Sequence, residues 1–461
     1  MTKKIIIAVA VFSLAFLTHG VTAQTPVKGE VRERLKVTLQ DAVRIGLQNN
    51  NELTAARYEV QKAEAKVNEA VGNALPTVNL SGRYSRALKK PVFFLPDFQN
   101  PGSGRIVPIE VGSTHSFDFS VSASQILFNS AVFTGIGTAE IYSRAAREVY
   151  KAKEIQTIAN IRKAFYGVLM AAEVHKMMEE NLSNAKENLH NVEVLSKQGL
   201  VSDYDEVRAS VAVGNLRPLV IQAENNYKSA LNGLKIVIGL PVNTDLEIDG
   251  NLEFQPVDDE LLDRASDLVM ETNYNLRALR LQRDVNDELI AIERSDYLPT
   301  IAAFGNYQYQ AAKNDLNLTS SDFVASSLIG VTLSMNIFKG FQTDARIEEA
   351  ELELRKTNEV IAGTEKGLKT SAETIVMRIK EARVRIEAQQ KTVEQAERGY
   401  RIATVRFKSG SGTQLEVNDA QLALTQAKVN RIQAMYDYLV AVAELDEITG
   451  RIPDFAREFI E

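Results

Sequence analysis

The chain has 461 residues, 45% hydrophobic and 25% charged, the balance of a folded protein long enough for two or three domains. With 0 Cys it carries no disulfide and no thiolate metal site. The net charge of −7, about −9 without Lys3 and Lys4, comes with no basic stripe, which argues against nucleic acid as a partner.

The N-terminus reads as a secretory signal peptide over residues 1–23. Lys3 and Lys4 form a basic start, Ile5 to Leu17 an apolar stretch, and Val21-Thr22-Ala23 a small-residue cleavage site. No later stretch is long and apolar enough for a transmembrane helix, so the mature chain is expected to leave the cytoplasm without a helical anchor.

Repeat 1 is read over 24–241. Residues 38–49 and 52–73 have amphipathic helical periodicity, and Pro76 ends the second stretch. The period then changes to two. A strand is predicted over about 77–88, where Val78, Leu80, Gly82 and Tyr84 alternate with polar residues. A Pro- and Gly-rich segment, 89–114, follows. The next strand, 115–128, alternates strictly: Phe117, Phe119, Val121 and Ala123 against Ser and Asp. Helical periodicity then covers 131–198, roughly 100 Å at 1.5 Å per residue, and returns over 203–238. Pro218 should kink the returning helix.

A connector over 242–272 breaks the long helices. It holds a short alternating stretch around Leu246 and Ile248 and an amphipathic helix near 258–271, expected to pack outside the long helices. Repeat 2, 273–461, then runs through the same order, with strands over about 300–310 and 324–338 and long helices over 341–408 and 414–449. In the first of these helices Ile375, Ile379, Ala382, Ile386, Val393, Ala396, Tyr400, Ala403 and Phe407 keep a three–four spacing, the seam of a coiled coil. Leu415, Leu422, Val429, Tyr436 and Ala443 are expected to continue it on the partner helix.

The two halves share more than their order. Leu75-Pro76-Thr77 returns as Leu298-Pro299-Thr300. Leu53 and Arg57 answer Leu276 and Arg280, Gln125-Ile126-Leu127-Phe128-Asn129 answers Met335-Asn336-Ile337-Phe338-Lys339, and Gly199 answers Gly410. A period this long is a duplicated structural unit, not a solenoid of short repeats.

Strands with one apolar and one polar face, in an exported chain, fit a membrane β-barrel with lipid outside and water inside. An open sheet edge in hydrocarbon leaves backbone groups unpaired at several kcal/mol each, so the sheet must close. The chain supplies too few such strands, since the smallest barrels need about eight. Several copies must therefore share one barrel: two would give about eight strands, three about twelve and a wider lumen. The bland alternative, edge strands of a soluble β-domain on a coiled-coil protein, accounts poorly for two matched hairpins each set at the end of a long helix pair.

In this layout the chain resembles the TolC-type outer-membrane efflux proteins over nearly its whole mature length. The resemblance rests on the duplicated order, the Leu-Pro-Thr strand entries, and two helix-tip motifs. These are Gly199-Leu200-Val201-Ser202, followed by Asp203-Tyr204-Asp205, and Gly410-Ser411-Gly412-Thr413, followed by Gln414-Leu415-Glu416-Val417-Asn418-Asp419. It implies a mainly α protein with a transmembrane β contribution. It further implies a homotrimer with a shared twelve-stranded barrel in outer-membrane lipid and a periplasmic α-helical tunnel. The tips would meet a periplasmic adaptor, itself engaged with an inner-membrane pump, to expel drugs, metals or small molecules, or proteins as in type I secretion.

Glu416 and Asp419 lie three apart on one helix face. They align with the paired acidic positions at the tunnel constriction of the family, where rings of carboxylates favour cations. Spacing alone equally describes a solvated face. Asp205 aligns with an acidic residue used in closing contacts. Phe407 stands where some members have Tyr, and Gly412 where they have Arg, so the hydrogen-bonded latch of those members is not expected here. The tip glycines read both as helix C-caps and as an exposed turn on which an adaptor packs.

His19, His115, His175 and His190 are scattered without ligand spacing. No Walker motif, dinucleotide fingerprint or nucleophile elbow is present, so neither an enzyme nor a cofactor is expected. The rival reading is a periplasmic coiled-coil adaptor or structural protein, which would not need two distal strand pairs.

Overall fold

The computed structural model describes residues 35–99 and 102–460; the signal peptide predicted over 1–23 lies outside them. In chain order the elements begin with β1 (Leu35–Val37), α1 (Leu39–Asn49), α2 (Asn51–Gly72), β2 (Thr77–Arg86), β3 (Val92–Pro96), β4 (Ile106–Glu110) and β5 (His115–Phe128). They continue with α3 (Ser130–Lys197), α4 (Asp203–Val237), β6 (Leu246–Ile248), α5 (Asp259–Asp263), α6 (Ala265–Thr272) and α7 (Tyr274–Arg294). Last come β7 (Thr300–Lys313), β8 (Val324–Ser334), α8 (Gln342–Lys408) and α9 (Gln414–Thr449).

Two helices set the scale. α3 has 68 residues and α8 has 67, each about 100 Å long. Neither is covered by one partner. α3 packs on α2 and α7 towards its start and on α4 and α9 towards its end, and α8 packs on α7 and then α9. The covering helices stack end to end, in the same way in both halves. Asn50 caps α2 by accepting from Leu53 N (2.9 Å) and donates its amide to Val237 O at the end of α4 (2.8 Å). Asn273 caps α7 through Leu276 N (2.9 Å) and donates to Ile448 O at the end of α9 (2.8 Å). A positive-φ glycine, Gly239 or Gly450, closes each lower helix, and an added Cβ would meet Asn49 O at 2.3 Å or Thr272 O at 3.0 Å. The residues that satisfy orphaned helix ends are thus duplicated together with the helices.

The sheet is antiparallel, in the order β2-β5-β7-β8. Its register puts Leu80 opposite Val121, Val121 opposite Tyr307, and Gly305 opposite Ile329, so one face is apolar across the strands except at Ser327, opposite Tyr307. Asn79, Ser122, Asn306, and Ser81, Ser120, Gln308 lie across the other. Leu80 and Ile329 are more than four-fifths exposed. Water does not favour such a face, and hydrocarbon does. The outer edges of β2 and β8 have no strand partner among the described residues.

The waist between the barrel sheet and the helix tips holds the main core. β1 pairs in parallel with β6, matching Leu35 to Leu246. Val37, Val43, Leu53, Ile161, Phe165 and Leu234 are buried together there, with Ala456 of the C-terminal turn. Arg162 of α3 and Asp446 of α9 form an ion pair at 2.6 Å, their side chains 7% and 11% exposed. A second cluster seats the connector: Leu262 and Ala265 pack with Ile375, Ile379 and Tyr438. Tyr438 Oη donates to Gln255 O (2.8 Å) and accepts from Val257 N (3.0 Å).

Several local expectations are corrected. The strand predicted to 338 ends at Ser334. Asn336, Lys339 and Thr343 instead turn to Asp296, with Lys339 Nζ and Thr343 Oγ1 at 2.6 and 2.7 Å. The chain enters α8 through Gly340 and Phe341, both at positive φ. The Pro- and Gly-rich segment 89–114 contains a further two-stranded ribbon, β3–β4. The single helix near 258–271 is two, meeting at Arg264. Of the row expected to continue the seam on α9, Leu415 and Leu422 are exposed, Val429 and Tyr436 are half-buried and Ala443 is buried. The buried row is Val417, Leu424, Ala427, Ala434 and Tyr438, because α9 packs on both α8 and α3 and buries the face between them.

Candidate functional site

The α3–α4 and α8–α9 hairpins end in the same turn. At the first, Gly199 N donates to Ser196 O (2.8 Å) and Leu200 N to Leu195 O (3.0 Å). At the second, Gly410 N donates to Phe407 O (3.0 Å) and Ser411 N to Arg406 O (2.9 Å). This is the glycine-closed pattern that satisfies the last carbonyls of a helix. Both glycines sit at φ 73°, a conformation that side-chain-bearing residues adopt at a cost. Three residues on, Ser202 or Thr413 caps the next helix.

The two caps differ in what their acidic residue does. Ser202 Oγ accepts from Asp205 N (3.3 Å) and donates to Asp205 Oδ2 (2.7 Å), while Ser202 N reaches the same oxygen (3.3 Å). Asp205 is therefore engaged in a closed capping box. Thr413 Oγ1 accepts from Glu416 N (3.2 Å), but the Glu416 carboxylate turns away. It lies 3.5 Å from Arg406 Nη1, and Arg406 Nη2 donates to Ser411 O (3.0 Å). Gly412 makes room for this arrangement. A Cβ there would stand 3.0 Å from Arg406 Cβ, and 3.1 Å from both Glu416 Oε2 and Phe407 N. Asp419 is exposed, with no hydrogen bond or ion pair among the described residues.

The hairpins are held together just inside the turns. Val192, Ala209, Ala403, Phe407 and Val417 are buried in one cluster with Val201, Tyr400 and Ala420, drawing on all four long helices. Phe407 thus acts as an apolar contact. Further in, a polar layer joins α3 to α9: Asn181 donates to Thr425 Oγ1 (3.0 Å) and accepts from Gln421 Nε2 (2.7 Å).

The fold therefore brings Gly199, Leu200, Val201, Ser202 and Asp205 to the same end of the molecule as Gly410, Ser411, Gly412, Thr413, Glu416 and Asp419. Leu200 is exposed and Val201 half-buried. Arg406 escaped the sequence reading. It lies ten residues before Glu416, and only the turn geometry makes the two neighbours. Among the described residues no group of acids and histidines is arranged to hold a metal ion. His115 instead bonds Tyr84 Oη through Nδ1 (2.8 Å), and His175 stacks on Tyr227.

A sheet with one lipid-compatible face and two edges unpaired among the described residues, carried on helices about 100 Å long, defines a subunit of an outer-membrane channel. The comparisons agree. The profile described as outer membrane efflux protein matches residues 43–240 and 265–451, and the chain belongs to that family. It is 22% identical over 335 residues to the outer membrane protein TolC of Vibrio cholerae, covering 72% of this chain and 76% of that one. It is 23% identical over 423 residues to the cobalt-zinc-cadmium resistance protein CzcC of Cupriavidus metallidurans, covering 90% of each. Its fold matches the Campylobacter jejuni CmeC outer membrane channel with a TM-score of 0.74 at 17% identity, over 91% of this chain and 88% of that one. The protein is a passive exit duct of the outer membrane that extends into the periplasm, not an enzyme, and the adaptor reading is set aside.

Proposed function

We propose that three copies complete one barrel of about twelve strands and continue it as a helical tunnel, the outer component of a tripartite efflux or secretion system. The observation that carries this reading is the sheet with one apolar face and two free edges, which only further copies can close within a membrane. The subunit then divides into the repeats 24–241 and 273–461 and the connector 242–272 around its waist. A periplasmic adaptor docks on Gly199, Leu200, Val201 and Ser202 and on Gly410, Ser411, Gly412 and Thr413, where the turns leave backbone and small side chains exposed. An inner-membrane pump drives cargo through the adaptor into the tunnel.

The tunnel is closed at rest by packing of the tip helices, and Glu416 and Asp419 line the constriction. Three copies of each carboxylate form two stacked acidic rings that favour cations. Asp205 holds the neighbouring helix start, so the first hairpin is the fixed side of the gate and the second the adjustable side. Conductance in planar bilayers tests this. Glu416→Ala with Asp419→Ala should weaken block by multivalent cations by about tenfold, as expected when rings of opposite charge are removed. Unchanged block would remove these carboxylates from the constriction.

A further inference from the structure

The β3–β4 ribbon has no role in the barrel wall. The β2–β5 ladder ends at Arg86 opposite His115, and the ribbon begins at Val92 opposite Glu110. Ala87 N to Thr114 O (2.9 Å) and Val111 N to Pro91 O (3.0 Å) bridge the gap. The two ladders are thus one long hairpin with a short interruption. The second hairpin does not accompany it, since β7 stops at Lys313 opposite His115. Both edges of the ribbon are free among the described residues.

Its composition is unusual for a loop in water. Phe93, Leu95, Val107 and Ile109 share one face; Val92, Phe94 and Ile106 share the other with Pro96 and Pro108. Glu110 is the one charged residue of the ten. Phe94 is 73% exposed, and Leu88 and Phe98 beside the ribbon are 91% and 71% exposed. Lipid is not what covers it. β2 and β5 already supply 10 and 14 residues, and a tilted membrane strand needs about 9–11. Between that span and the ribbon stand Lys89 and Lys90. Asn314 Oδ1 marks the rim, accepting from Lys90 Nζ (2.8 Å), Thr114 N (3.1 Å) and Thr114 Oγ1 (3.3 Å). The ribbon therefore projects beyond the hydrocarbon, on the side away from the helices.

What meets it is set by the sheet order. β2 is an edge strand, so the seam where another copy must join runs along it, and β3 prolongs that strand past the rim. The ribbon is continuous with the intersubunit seam. Its reach is sufficient. Five paired rows at about 3.4 Å extend roughly 17 Å, whereas a twelve-stranded barrel with strands about 4.8 Å apart and tilted about 40° has a radius of roughly 12 Å. We propose that the β3–β4 ribbons of the several copies lean over the barrel and pack on one another through Phe93, Phe94 and Phe98, forming an apolar lid on its outer opening. The inference rests on the ring of copies proposed above. It gives the duct a second constriction, one that resists ions of either sign by dewetting where the acidic rings at the helix tips select among them by charge.

The absence of Cys makes the test direct. Phe94→Cys is placed in the full chain, and outer membranes are oxidised and run on non-reducing gels. Covalent dimers are expected, with a conductance after oxidation about half or less of that in reductant. Phe93→Ser with Phe94→Ser and Phe98→Ser changes only exposed positions, so assembly is retained, and open-state conductance should rise about twofold. Free labelling of Phe94→Cys by a water-soluble maleimide with no crosslink at that position, or unchanged conductance of the serine variant, would overturn the lid. Failure of the unmodified protein to form an oligomeric channel in the same bilayers would instead overturn the shared barrel. The two failures are thus separable.

Discussion

The waist and the tips of this subunit both bridge α3–α4 to α8–α9, and they do so with different chemistry. At the waist Arg162 and Asp446 meet at 2.6 Å almost wholly out of water, beside the largest apolar cluster. At the tips Arg406 and Glu416 stand 3.5 Å apart with their side chains 53% and 43% exposed, beside a much smaller cluster. A buried pair tolerates no loss of one member, because the other is left charged in a poor solvent. An exposed pair is exchanged easily for water or salt. The contrast marks the waist as the fixed part of the subunit and the tips as the part that can be rearranged at little cost.

The largest effect should come from Arg162→Met. It leaves Asp446 with only Arg451, 3.8 Å away, and should destabilise the detergent-solubilised protein by about 3–5 kcal/mol in denaturant unfolding. Adding Asp446→Leu should recover most of the loss; no recovery would mean that packing and not charge dominates there. A smaller effect is expected from Ser202→Ala, which opens the capping box at the first tip and should cost about 1 kcal/mol. The same assay on Thr413→Ala should show a smaller loss, because the Glu416 carboxylate does not complete that cap. The smallest stability change belongs to Arg406→Gln, at roughly 0.2–1 kcal/mol. Its signature lies elsewhere: freed of the guanidinium, Glu416 should make the channel more cation-selective, read as a reversal-potential shift in a salt gradient. Equal selectivity before and after would show that Arg406 does not modulate the ring.

Much of this was legible in the residues because it repeats. The alternation in Thr77–Arg86 and His115–Phe128 has one physical reading once a membrane is allowed, and the paired Leu-Pro-Thr entries fix where each hairpin starts. The tip turns were legible from Gly199 and Gly410 with Ser202 and Thr413 three residues on. The β3–β4 ribbon was not, because Pro96 and Pro108 argue against a strand unless both edges are free. Seven-residue spacing found Leu415 and Leu422 but could not say which row of a helix with two neighbours is buried. Arg406 was hidden for a related reason: contacts made across a turn leave no period in the sequence.

The pairing of β5 with β7 carries a consequence for biogenesis. It joins His115 to Lys313, residues almost 200 positions apart, and no strand made earlier can substitute for β7. Long-range pairings of this kind form slowly, since chain entropy is lost before the ladder repays it. The first hairpin must therefore wait, with its apolar face uncovered, while the connector and α7 are translated and exported. A subunit stalled between its two halves would be a substrate for periplasmic chaperones, and truncation just before Thr300 should yield a product that is degraded and never inserted.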